Sequence, residues 1–146
     1  MYFGYYEHSL DDKGRLMIPS KLREGLVAGS PLYIVNGFEG YLSVYNEEGF
    51  KALSNYLEKY SDFNEDARKV KRNIYSSTFV LNVDKLGRIQ ISTNILARYH
   101  IDHKVVVLGA GDHFEIWDEE TYKKYQEEND KDFSSLANKL ERGNDR

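Results

Sequence analysis

Cysteine is absent from the 146 residues, which excludes disulfides, thiolate metal sites and cysteine nucleophiles. No apolar run approaches the roughly 20 residues of a membrane helix. The opening "MYFGYYEHS" also has neither the basic start nor the apolar middle of a secretory signal. A cytoplasmic location without a membrane partner is expected. An excess of positive charge is missing too. Twenty Lys and Arg face 24 Asp and Glu, a formal net charge of -4, the wrong sign for a nucleic-acid binder with a uniformly basic surface.

What is there suffices for a folded domain. The residues are 40% hydrophobic and 14% aromatic, with 30% charged, enough for one ordinary core or for two small halves that share one. The charge is uneven. From Glu65 to Lys104, Arg68, Lys69, Lys71, Arg72, Lys85, Arg88, Arg98 and Lys104 stand against Glu65, Asp66, Asp84 and Asp102, so eight bases less four acids leave +4.

The chain also repeats itself. At an offset of 84 − 11 = 73, Asp11 pairs with Asp84, Gly14 with Gly87, Arg15 with Arg88, Leu16 with Ile89, Ile18 with Ile91 and Leu22 with Ile95. At an offset of 72, Val35 pairs with Val107, Gly37 with Gly109, Val44 with Ile116, Tyr45 with Trp117, Glu47 with Glu119 and Phe50 with Tyr122. Agreement over about forty positions in order marks two copies of one supersecondary unit. Each is too small to bury its own apolar face, so the expected fold is a pseudo-twofold pair whose strands complete each other's sheets. Residues 1–60 read as the first repeat, 61–75 as a linking helix, and 76–146 as the second repeat with a C-terminal helix.

Within a unit, "YYEHSL" and "STFVLNV" read as strands and lead into an Asp-x-x-Gly turn. "RLMI" and "RIQI" then alternate. Period two places Leu16, Ile18, Ile89 and Ile91 inward, and Arg15, Met17, Arg88 and Gln90 outward. Pro19 stops the strand before a short helix in "SKLREGL", and Ser92 or Thr93 caps its counterpart in "TNILARY". "LYIVNGFEGYLSVY" and "KVVVLGAGDHFEIW" read as hairpins, each followed by an acidic-first helix. "NEDARKVKRNIYS" reads as a helix capped by Asn64, apolar along Ala67, Val70 and Ile74 and basic elsewhere. Phe133, Leu136, Ala137 and Leu140 give a last helix that packs or docks before a frayed tail.

The repeated acid and arginine carry the functional reading. A glycine just before the arginine favours positive φ, and an aspartate at the start of the turn can accept hydrogen bonds from backbone N–H groups two or three residues on. Asp11, Gly14, Asp84 and Gly87 then shape the turns. Arg15 and Arg88, held on stiff bends, offer paired donors suited to a phosphate or to the O6 and N7 of guanine. The plainer alternative is a surface ion pair across each turn.

With "HSLDDKGRLMIP" followed some seventy positions later by "DKLGRIQI", the chain closely resembles the MraZ family of bacterial regulators over nearly its whole length. Family members commonly have proline where this chain has Ser92. The resemblance implies a mainly β fold with helices, a double AbrB-like, swapped-hairpin β-barrel. It also implies a homo-oligomeric ring of about eight or more subunits. The implied partner is double-stranded DNA at short direct repeats with G-rich boxes, upstream of the division and cell-wall genes. The location would be nucleoid-associated, with no cofactor, small-molecule substrate or catalytic activity. DNA contact falls to Arg15 and Arg88, with Lys13 and Lys85 beside them; Leu86 stands where Lys13 does in the first motif. Oligomerisation reconciles this with the acidic protomer, because a few cations gathered on one face are multiplied by linkage.

Other readings are weaker. The "RKVKR" helix could touch phosphates, but a solvated face is the plainer account. His100 and His103 lack a third metal ligand. The "GAG" at Gly109–Gly111 reads as a hairpin loop, and Tyr2, Tyr5 and Tyr6 as core or subunit contacts. A triad from His8, Ser9 and Asp11 or Asp12 is opposed by strand alternation. An antitoxin-like interaction module is the other class, although two copies in one chain speak against it.

Overall fold

The computed structural model describes residues 1–129 and 132–144. The first repeat supplies β1 (Tyr5–Ser9), β2 (Arg15–Met17), β3 (Pro31–Asn36), β4 (Leu42–Tyr45), α1 (Glu47–Leu57) and α2 (Glu65–Ser77). The second supplies β5 (Phe79–Asn82), β6 (Arg88–Gln90), α3 (Thr93–Arg98), β7 (Lys104–Gly109), β8 (Phe114–Asp118), α4 (Glu119–Asn129) and α5 (Phe133–Asn144).

The repeats exchange strands, as their small size requires. An antiparallel six-stranded sheet runs β1-β7-β8-β4-β3-β5, and β2 pairs with β6 in a separate two-stranded ribbon. β1 thus completes the second repeat's hairpin and β5 the first's. The pairings that cross between repeats mark the pseudo-twofold axis. In β2–β6 Leu16 pairs with Ile89 (89 − 16 = 73), and in β4–β8 Ser43 pairs with Glu115 (115 − 43 = 72), so at these two crossings a position meets its own repeat.

The ribbon packs on one face of the large sheet. Leu16, Ile18, Ile89 and Ile91 join Leu32, Ile34, Leu42, Val44, Val105, Val107, Phe114 and Ile116 in one core, all essentially inaccessible. Leu16, Ile18, Ile89 and Ile91 are the inward residues that the alternation predicts. The other face carries helices. Tyr33 stacks on Phe50 of α1 with ring centres 4.5 Å apart, and Trp117 meets Tyr122 of α4 at 5.0 Å. Phe50 and Tyr122 are partners in the repeat, so equivalent aromatics seat equivalent helices.

Asn64 and Ser92 cap helices as expected, and Asn46 caps a third. Asn46 Oδ1 accepts from Gly49 N at 2.8 Å, Asn64 Oδ1 from Ala67 N at 3.1 Å, and Ser92 Oγ from Ile95 N at 3.3 Å. The helix expected in "SKLREGL" shrinks to a single 3-10 turn, Ser20–Leu22. Gly25, at φ +80°, turns the chain away before a second helical turn can form. α2 and α5 each follow the acidic-first helix of their own repeat, so the linking helix has a topological counterpart at the end of the chain. α5 forms, but its apolar residues are not covered by the described residues. The expected frayed tail is helical through Asn144, and Asp145 and Arg146 lie outside the described residues.

Candidate nucleic-acid interface

The two motifs adopt nearly the same geometry. Gly14 N donates to Asp11 O at 3.0 Å and Gly87 N to Asp84 O at 3.1 Å, with the glycines at φ +75° and +83°. Asp11 Oδ1 accepts from Lys13 N at 2.9 Å and Arg15 N at 2.8 Å; Asp84 Oδ1 accepts from Leu86 N at 2.9 Å and Arg88 N at 2.8 Å. The carboxylates therefore reach two and four residues on, rather than two or three. Each turn is also tied to the other repeat: Ile91 N donates to Gly14 O at 2.9 Å and Ile18 N to Gly87 O at 3.1 Å.

The second carboxylate oxygen takes the arginine. Arg15 Nε donates to Asp11 Oδ2 at 2.5 Å and Arg88 Nε to Asp84 Oδ2 at 2.9 Å. Shaping the turn and pairing with the arginine are one arrangement here. The pair uses Nε, and no hydrogen bond among the described residues engages the Nη groups of Arg15 or Arg88. Their side chains are 31% and 25% exposed, so both are half-buried rather than freely solvated. Hydrogen bonds from the arginine backbone N–H hold the Asp11 and Asp84 carboxyls below their ordinary range, against the cost of burial and with help from the guanidinium.

The ribbon brings the arginines onto one surface. In its register Arg15 lies opposite Gln90 and Arg88 opposite Met17, and with Leu16 and Ile89 pointing inward all four face out. Strand rise and spacing put the two arginine Cα atoms about 8 Å apart on a diagonal. Lys13 and Lys85 are exposed on the flanking turns, and Gln90 Nε2 donates to Lys13 O at 3.1 Å.

One residue at this surface escaped the sequence reading. The Arg23 guanidinium lies against the second turn, its Nη1 3.4 Å from Leu86 O. A Cβ on Gly87 would fall 2.3 Å from the same nitrogen, whereas one on Gly14 would meet Leu96 at 3.4 Å. Arg23 and Leu96 are equivalent (96 − 23 = 73), so the only available signal was a mismatch between the repeats. The basic helix α2 is elsewhere. It lines a cleft with Val35 and Ser43, on the sheet face opposite the ribbon, and Lys71 within it bonds Tyr60 O at 2.7 Å and Asp62 at 2.9 Å.

Residues 1–73 and 74–146 each match the family described as "MraZ protein, putative antitoxin-like". The chain is 40% identical over 143 residues to the transcriptional regulator MraZ of Mesoplasma florum, covering 98% of this chain and 97% of that one. It is 36% identical over 137 residues to the protein of that name from Limosilactobacillus fermentum, covering 94% of each. For Alkaliphilus metalliredigens the identity is 33% over 141 residues, covering 97% of each. With both halves matched and relatives aligned along nearly their full length, the chain belongs to the MraZ family.

Proposed function

We propose that this protein is a non-enzymatic, sequence-specific DNA-binding transcriptional regulator. It acts in the cytoplasm as a ring-shaped oligomer on short direct repeats upstream of division and cell-wall genes. The observation that carries the DNA reading is the pair of outward arginines on a two-stranded ribbon, each oriented through Nε and open at Nη. A B-DNA major groove, about 12 Å wide, admits such a ribbon, and a guanidinium matches guanine O6 and N7 or a phosphate. Anchoring by Asp11 and Asp84 lowers the ordering cost of each contact. Lys13, Lys85 and Arg23 add charge at the flanks.

Gel retardation on the DNA upstream of the protein's own gene tests this. Arg15→Ala and Arg88→Ala are each expected to weaken retention at least tenfold, and together to abolish it, with the far-ultraviolet spectrum unchanged. If about six phosphates are neutralised, log K against log salt slopes near about −5. Undiminished retention by the double variant overturns the site. The family description also favours an antitoxin-like reading, and toxin capture by a chain that retains no DNA would replace the regulator reading with that one.

A further inference from the structure

α5 repeats the apolar spacing of α2 without its seat. Phe133, Leu136 and Leu140 stand at i, i+3 and i+7, as do Ala67, Val70 and Ile74. α2 lies along β3 and is linked to α1 by the Ser54 and Tyr75 hydroxyls at 2.8 Å. On α5, by contrast, Phe133 is 76%, Leu136 47% and Leu140 73% exposed. A helix of 12 residues is marginal in water by propensity alone and takes its stability from a packed apolar side. Such a partner is not found among the described residues of the same chain.

The chain carries a matching acceptor. An open-sided groove of about 620 Å³ runs between α1 and α2, lined by Leu53, Tyr56, Leu57, Tyr60, Val70 and Ile74. Tyr56, Tyr60 and Val70 are about half exposed in it, and Phe38 stands beside it almost bare. Its charged lining is Asp66 and Lys71, of which Lys71 is paired with Asp62 at 2.9 Å. That leaves the negative charge of Asp66. From 133 to 144, α5 carries Lys139 and Arg142 against Glu141, one positive charge in excess.

Placement identifies the occupant. α4, which leads into α5, lies on β7 and β8, whereas α1 and α2 lie on β3 and β4, the other half of the same sheet. The donor helix thus follows a helix on one half of the sheet, and the acceptor groove is formed by helices on the other half. Copies that dock in this way make heterologous contacts, which close into a ring when the rotation permits. The geometry points to α5 of one copy seated, apolar side down, in the α1–α2 groove of a second copy. The contact is of the helix-in-groove kind and leaves the ribbon on the opposite sheet face uncovered. This inference rests on the reading of the protein as a ring-forming oligomer.

Light scattering on the full chain and on Leu136→Asp/Leu140→Asp tests it, with gel retardation alongside. The wild-type particle is expected to be a multiple of 17.0 kDa, and the variant to fall to one or two chains while keeping its thermal melting. A variant that keeps the wild-type mass overturns the α5 contact and leaves the ring standing; a wild type of one chain overturns both. Cysteine placement identifies the contact, since the chain has none of its own. Chains carrying Leu140→Cys and Val70→Cys are co-expressed and treated with a short bis-maleimide. A covalent pair containing one of each is the expected product. Linkage only between α5 helices, or only within a chain that bears both substitutions, overturns the proposal.

Discussion

Asp11 and Asp84 divide their oxygens in the same way, one for the turn and one for the guanidinium, and the glycines between make the division possible. The two glycines differ in what surrounds them. A Cβ on Gly14 would stand 2.3 Å from the fixed carbonyl of Ile91, whereas on Gly87 it meets the movable end of Arg23. Gly14→Ala should therefore cost roughly 2–4 kcal/mol and Gly87→Ala about 1–2 kcal/mol, an order that urea unfolding of both variants can check. A second residue-scale expectation concerns His113, which lies 2.7 Å from Asp112 and 3.6 Å from Glu115. Burial lowers its pKa, but the bonds to Glu115 and Asp112 outweigh burial and raise it above 6.5. Its folded value exceeds its unfolded one, so its stabilisation is complete below pH 6.5 and lost as pH rises through the folded value. Melting curves of His113→Gln should lose that fall between mildly acidic and alkaline pH. Positive φ at the two glycines was legible, because an Asp-x-x-Gly-Arg turn between apolar strands has few other solutions. That Nε rather than Nη meets the carboxylate was not, since both nitrogens obey the same sequence pattern. Arg23 was hidden for a different reason: its partner is the backbone of the other repeat.

Among the elements, the strands and capped helices follow from short-range chemistry and were readable as such. Alternation assigned the inner residues of β2 and β6 correctly, and Asn46, Asn64 and Ser92 cap where they stand. The two asparagines are not equal. Asn64 caps an exposed helix start, while Asn46 also donates through Nδ2 to the Tyr2 hydroxyl at 3.0 Å. Asn64→Ala should cost about 1 kcal/mol, and Asn46→Ala about 2 kcal/mol once the lost side-chain bond is added; chemical denaturation would show the difference. The first short helix is shorter than "SKLREGL" suggests because the glycine inside it takes positive φ and ends the turn. α5 was readable as a helix but its cover was not, for an apolar stripe states that a partner is needed without saying which surface supplies it.

At the scale of the molecule, the exchange of strands was deducible from the repeat and from size alone. Each half has too little apolar surface to close a core, and the structure meets that need by placing β1 on β7 and β5 on β3. Residues 1–77 expressed alone should consequently lack a cooperative melt, and recover one when residues 78–146 are supplied in the same cells; circular dichroism distinguishes the cases. The sheet order itself was not legible, because the repeat says that strands are shared but not which edge receives which. The twofold is also imperfect at the proposed DNA-facing surface. Lys13 is matched by Leu86, Met17 by Gln90 and Arg23 by Leu96. A dimer of identical halves would meet a duplex the same way from either end and would favour palindromes. Fused halves that have drifted apart give the subunit a direction: under the proposed function, successive subunits facing the same way along the helix would suit tandem sites, and an inverted site would be met backwards.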